Sequence, residues 1–186
     1  MQKEQAQYPY KEGTLRLMTP GEITMARCVF GNHIIYHRVW IHNDSYFPFG
    51  LQGKRVAMSP NGEVWFRKEY YHPDFSSGSV DERLKHNFIH ELGHVWQHQH
   101  GQWVRTRGLF SWAAYYFYTL DKPRLTDYSL EQQASIIADY WLILRYGINM
   151  WLYFHNNILQ GEYQGNDKLS DIPGLYKKIV TTGWLQ

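Results

Sequence analysis

The sequence predicts an α+β protein: one short helix, a small sheet, and then a mainly helical body. Two observations predict it. Capping signals of the form Ser/Thr-x-x-Glu/Gln occur three times, at Thr19 to Glu22, Ser79 to Glu82 and Ser129 to Gln132. Between the first two lie short β-branched and aromatic runs bounded by turn residues, whereas apolar residues after position 80 recur at helical spacing.

The elements follow in order. Residues 1–9 read as a loose start to a single domain. Thr19-Pro20-Gly21-Glu22 opens a helix with proline at its first position, Ile23, Ala26, Val29 and Phe30 line one face, and Gly31 ends it. Strands are expected at Ile34–Tyr36, Val39–Ile41 and Val56–Met58. A fourth, Val64–Phe66, follows the Pro60-Asn61-Gly62 turn, and Asp74–Ser79 reads as a loop. The next helix is expected from Val80 to His100, stopping at Gly101. Leu84, Phe88, Leu92, Val95 and Trp96 form its apolar arc, and Arg83, Asn87, His90 and His94 lie off that arc. Leu109–Leu120 is aromatic and fits strand or helix. Ser129 caps a helix to Tyr146 and Gly147, an amphipathic segment follows over Met150–Leu159, and the tail from Gly161 reads as polar with turns.

Composition narrows the function classes. In 186 residues, 44% are hydrophobic and 17% aromatic, which specifies a packed core and argues against disorder. A net charge of +2 points to neither nucleic acid nor an anionic membrane, and no run has the length to span a bilayer. Cys28 is the only cysteine, so an intramolecular disulfide is excluded. The opening MQKEQAQYPYKEG has no apolar h-region, which leads us to expect synthesis in the cytoplasm without a secretory signal peptide.

The chemistry concentrates in FIHELGHVWQHQHG, where four of ten histidines occupy residues 88–101. His90-Glu91-x-x-His94 on a helix sets two imidazoles one turn apart on one face, the arrangement that binds Zn2+ with Glu91 as general base. A catalytic zinc takes three protein ligands, and two residues compete for the third place. His100 has the metzincin spacing, but that pattern needs a sharp turn at a glycine, and Gln97 stands there. Without the turn, His100 lies nearly three turns beyond His90 and reads as a helix-terminus histidine. Glu131, in the first turn of the next capped helix, is the better choice, the gluzincin solution. His98, one turn past His94, is a lesser one.

Four segments, LMTPGEITMARCVFG, VAMSPNGEVWF, FIHELGHVWQ and YSLEQQASIIADYW, resemble in their order the C-terminal metallopeptidase domain of VgrG-type spike proteins of bacterial type VI secretion, and related stand-alone proteins among Rhs- and Vgr-related sequences. The resemblance spans roughly residues 10–146. It implies a zincin fold, zinc on His90, His94 and Glu131, Glu91 as the catalytic carboxylate, and a toxin delivered into competing bacteria to act in the periplasm. A secretion-spike carrier and an immunity protein are the partners implied, beside a peptide or protein substrate. The chain departs from the pattern at Ser135, where gluzincins carry an aspartate; Asp139 could support the site by another geometry. The chain shows no spike or β-helix portion, so delivery implies a separate carrier or a longer parent chain.

Three expectations complete the reading. Tyr128, His98 and Arg107 are the candidates to support the developing oxyanion, with Tyr128 three residues before Glu131. Substrate backbone is expected along Val64–Phe66. The alternatives are a peptidoglycan amidase or endopeptidase of the same chemistry, and a non-catalytic zinc-stabilised spike-docking module using the aromatic Trp112–Tyr118 stretch.

Overall fold

The computed structural model describes residues 10–54, 56–102, 116–158 and 162–184. Residues 1–9, Arg107 and all of the aromatic stretch before Tyr116 lie outside them. The described residues form an α+β structure, a three-stranded sheet beside a mainly helical body.

Strand β1 (Thr14–Leu17) runs antiparallel to β2 (Trp40–Asn43), pairing Thr14 with Asn43, and β2 runs parallel to β3 (Val64–Phe66), pairing Ile41 with Val64. Helix α1 (Pro20–Phe30) starts in the expected capping box and buries Ala26, Val29 and Phe30. Its Glu22 does more than cap. The buried carboxylate accepts from Arg16 Nη1 and Nη2 at 2.8 and 2.7 Å and from the backbone N–H of Phe75 at 2.8 Å, tying β1, α1 and the approach to the next helix together.

Helix α2 (Glu82–Gln99) carries the histidine motif. Its cap is Asp81, not Ser79, whose hydroxyl pairs with that of Ser77. Phe88, Leu92, Val95 and Trp96 are fully buried, as their common arc requires. Helix α3 (Leu130–Tyr146) begins at the Ser129 cap and ends at Gly147, whose φ of 82° suits glycine. Helix α4 (Ile148–Asn157) follows directly.

Three expectations are corrected, and one strand is added. The tail is not all turns: Ile172–Gly183 forms helix α5, burying Ile172, Tyr176, Ile179 and Val180. That spacing is helical, but Lys177, Lys178, Thr181 and Thr182 on the other face make the segment read as polar. Ile34–Tyr36 is no strand; Tyr36–Arg38 is a 3-10 turn, and Ile34 and Tyr36 are buried without a partner strand. Of Val56–Met58, only Met58 pairs, through one antiparallel bridge to Trp65. Strand β1 was not expected, because it shows no buried alternation and leaves Leu15 and Leu17 exposed.

Candidate metal centre

Helices α2 and α3 pack closely. Gly93, between the two histidines of the motif, lies against Ala134: a Cβ placed on Gly93 would meet the Ala134 Cα at 3.0 Å and Cβ at 3.1 Å. This contact carries the first turn of α3 over the histidine face, which explains why His94, off the apolar arc of α2, is nevertheless buried.

The result is a three-residue cluster. Glu131 Oε2 lies 3.3 Å from His90 Nε2 and 3.2 Å from His94 Nε2, and the donor atoms of all three lie within 4.8 Å of one another. The edge of a tetrahedron with zinc-to-ligand distances of ~2.0–2.1 Å is about 3.3 Å, so the two separations to Glu131 suit one small cation.

The protonation pattern supports that fit. Gln97, fully buried, donates from Nε2 to the Leu130 carbonyl at 2.8 Å and to Gln133 Oε1 at 3.2 Å. Its Oε1 therefore faces His94 Nδ1, 2.8 Å away, and His94 must donate there. A neutral His94 then turns the Nε2 lone pair toward a carboxylate oxygen, an arrangement that needs positive charge between the two atoms. Without a metal that charge is a proton. Burial opposes it, but Glu131 overrides burial and lifts the His94 imidazole to about 9. Conversely, burial pushes the Glu131 carboxyl up, and the His90 and His94 rings overcome this to hold it well below the usual carboxylate range. The other ring nitrogen of His90 faces Ser135 Oγ at 3.5 Å, so the residue standing where gluzincins carry aspartate meets the other histidine.

Glu91 projects beside the cluster rather than into it. Its Oε2 accepts from the Ser59 hydroxyl at 2.8 Å, and both side chains are buried. Two cavities flank it. The larger, about 320 Å³, extends past His86, Asn87 and Phe154 to Glu162. The smaller, about 90 Å³, runs along Met58, Ser59 and Pro60 to His94 and Glu131.

The remaining predicted residues are elsewhere. His100 is the C-terminal cap of α2 and its ring nitrogen donates to the Trp96 carbonyl at 2.8 Å, the helix-terminus role. His98 is exposed and packs on Gly62. The Tyr128 hydroxyl accepts from the Lys122 N–H at 3.0 Å, and Tyr128 lines neither cavity. Strand β3 is covered by β2 on one edge and by Met58 on the other. The segment facing the cluster is therefore 56–59.

Asp139 anchors a separate buried network behind the site. It accepts from His86 Nε2 at 2.8 Å, His155 Nε2 at 2.9 Å and the Tyr118 hydroxyl, joining α2, α3 and α4. Burial opposes its charge, yet the facing His155 and His86 hold its carboxyl well below the usual range. Ser59 and Tyr116 were not among the expected site residues, and Gln97 stood out only as the residue in place of a glycine. Nothing in their local sequence marks the first two, which reach the site through long-range packing.

Fold and cluster together define a class: a small α+β protein in which a His-x-x-x-His pair on one helix meets a carboxylate from the first turn of another. No family model matches the chain. Over 135 residues it is 39% identical to the type VI secretion system spike protein VgrG2b of Pseudomonas aeruginosa, a match that covers 68% of this chain and 13% of that protein. Among solved structures it matches the effector domain of Pseudomonas aeruginosa VgrG2b with a TM-score of 0.61 and 32% identity, covering 83% of this chain and 87% of that one. The chain belongs to the family of VgrG2b effector domains.

Proposed function

We propose that this chain is a zinc-dependent metallopeptidase of zincin type, delivered by a type VI secretion spike into a target bacterium and active in its periplasm. The observation that carries the proposal is the convergence of His90, His94 and Glu131 on one point, with Glu91 beside it in a cleft. His90, His94 and Glu131 would hold the ion. Zinc, when bound, supplies a Lewis acid that polarises a carbonyl and makes water acidic near neutral pH.

The chain's own residues supply the rest. Glu91 takes the proton of the attacking water and returns it to the leaving amine, and the Ser59 hydroxyl holds the carboxylate by one oxygen so that the other is free for that work. Gln97 fixes the His94 tautomer and orientation. Substrate backbone would lie along 56–58 instead of β3. Met58 bonds to Trp65 through both its N–H and C=O, so those of Ala57 point the other way, and neither has a partner among the described residues.

Elemental analysis of wild type, Glu131→Ala and His100→Ala tests the ligand set. About one zinc per chain is expected in wild type and His100→Ala, and none in Glu131→Ala. Glu91→Gln should keep the metal and lose turnover of peptides. Metal retained without Glu131, or turnover retained without Glu91, would remove the proposal. The carrier spike, the immunity protein and the substrate's identity belong to the same proposal, since the chain matches only 13% of the spike protein's length.

A further inference from the structure

Peptide hydrolysis needs a donor for the carbonyl oxygen as well as a base for water, and removing one such donor typically costs ~100-fold in turnover. The two cavities locate where that donor must stand. A substrate that fills both passes through their junction, and among the described residues those common to the two linings are Val56, Ala57, Glu91 and Tyr116. Val56 and Ala57 offer backbone and aliphatic surface, and Glu91 is the base. Tyr116 is the one side-chain hydroxyl of the four.

Its setting fits the task. The Tyr116 ring lies beside His90, with centroids 6.4 Å apart and planes inclined by 35°. Its hydroxyl has no hydrogen-bond partner among the described residues, so its proton is free for a ligand. The residues that follow pin it. The Phe117 carbonyl accepts from Gln132 Nε2 on α3 at 2.6 Å, and Tyr118 is bonded through N–H and C=O to Glu162 and Gln164. Of these two cavities His86 and Arg83 line the larger and not the smaller, and Tyr128 lines neither.

We infer that Tyr116 is a catalytic residue that donates its O–H to the carbonyl oxygen of the scissile bond, an inference that rests on the peptidase reading above. Water oxygen bonds to the carbonyl carbon as Glu91 takes one water proton, and the π pair moves onto the carbonyl oxygen. The Tyr116 O–H bonds to that oxygen without giving up its proton. The C–N bond then breaks, the carbonyl re-forms, and the amine leaves with the proton from Glu91.

The test uses zinc-loaded wild type, Tyr116→Phe and Glu91→Gln on a mixture of peptides from a digested bacterial lysate, with cleavage read by mass spectrometry. Alongside it, the affinity of each for a leucyl dipeptide phosphoramidate, a tetrahedral mimic, is titrated. Tyr116→Phe is expected to lose ~100-fold in turnover and a similar factor in phosphoramidate affinity, with zinc content and unfolding midpoint unchanged. Turnover within about threefold of wild type in Tyr116→Phe, with Glu91→Gln inactive, overturns this assignment and leaves the peptidase reading standing. Loss of zinc in Tyr116→Phe also overturns it, since the ring would then be structural. No cleavage by wild type, or undiminished cleavage by Glu91→Gln, sinks the peptidase reading and this inference with it.

Discussion

Gly93 and Ala134 touch where α2 crosses α3, and a methyl group on Gly93 would lie 3.0 Å from the Ala134 Cα, tighter than ordinary van der Waals contact. The proposed ligand set depends on that contact, because Glu131 stands three residues before Ala134 on the same helix. Gly93→Ala would gain about 1 kcal/mol of helix propensity in isolation. Here the Ala134 backbone must give by a few tenths of an ångström, and overpacking of this kind costs ~1–3 kcal/mol. The expected outcome is a lower unfolding midpoint together with weaker zinc binding, measured by thermal melts with and without added zinc. A variant as stable as wild type and equally tight for zinc would show that the helices yield freely.

Gln97 gives a second, cleaner handle on the metal. Its side chain bridges His94 and the Leu130 carbonyl, so it holds one ligand and the helix that bears another. Gln97→Leu keeps the bulk and removes both bonds. We expect zinc affinity to fall 10- to 100-fold, the usual cost of losing a group that orients a ligand. Competition against a chromogenic chelator reads this directly, with no substrate required.

Ser59 acts on Glu91 and not on the cluster. Ser59→Ala should leave zinc content and affinity as they are while turnover drops between about 10- and 100-fold, the scale of a misplaced reacting group. Ser59→Thr retains a hydroxyl and should recover part of the loss. A drop in zinc affinity on removing this hydroxyl would place its role elsewhere.

Asp139 is predicted to matter for stability and its acid dependence. Its carboxylate is fully buried and partnered by two imidazoles and a tyrosine hydroxyl. Asp139→Asn replaces the ionised acceptor of these hydrogen bonds with an amide whose NH2 faces donors, and should cost on the order of 3 kcal/mol near neutral pH. Because the folded-state carboxyl is depressed, its stabilising contribution is complete above the unfolded value of ~3.9 and fades as pH falls through the lower, folded one. Urea denaturation of both proteins at pH 7 and below pH 4 should show the gap narrowing in acid. A constant gap would mean that the ionised carboxylate is not what stabilises.

How much of this is legible in the chain depends on the range of the interaction. Helices α2 and α3 announce themselves because caps, periodic apolar residues and stop glycines are local features. That His90 and His94 share a face follows from their spacing on α2, whereas Glu131 as their partner rests on its first-turn place in the next capped helix and on the gluzincin pattern. By contrast, Ser59 reaches Glu91 across 32 residues of sequence, from a loop whose only local signal is the Pro60-Asn61-Gly62 turn. Tyr116 sits in an aromatic run where ordinary core packing and a role at the site look identical. Helix α5 was hidden by its lysines and threonines, and the covered edges of β3 could not be foreseen without knowing that Met58 would bridge to Trp65.

His94 and Glu131 stand 37 residues apart on separate helices. An ion held between them closes that length of chain as a crosslink does, and a loop of this size removes on the order of 3–4 kcal/mol of freedom from the unfolded state. The sole cysteine, Cys28, can form no such tie within the chain. Under the proposed function a chelator would then act on this protein as a reductant acts on a disulfide-stapled one, and metal supply, not redox poise, would set its resistance to unfolding.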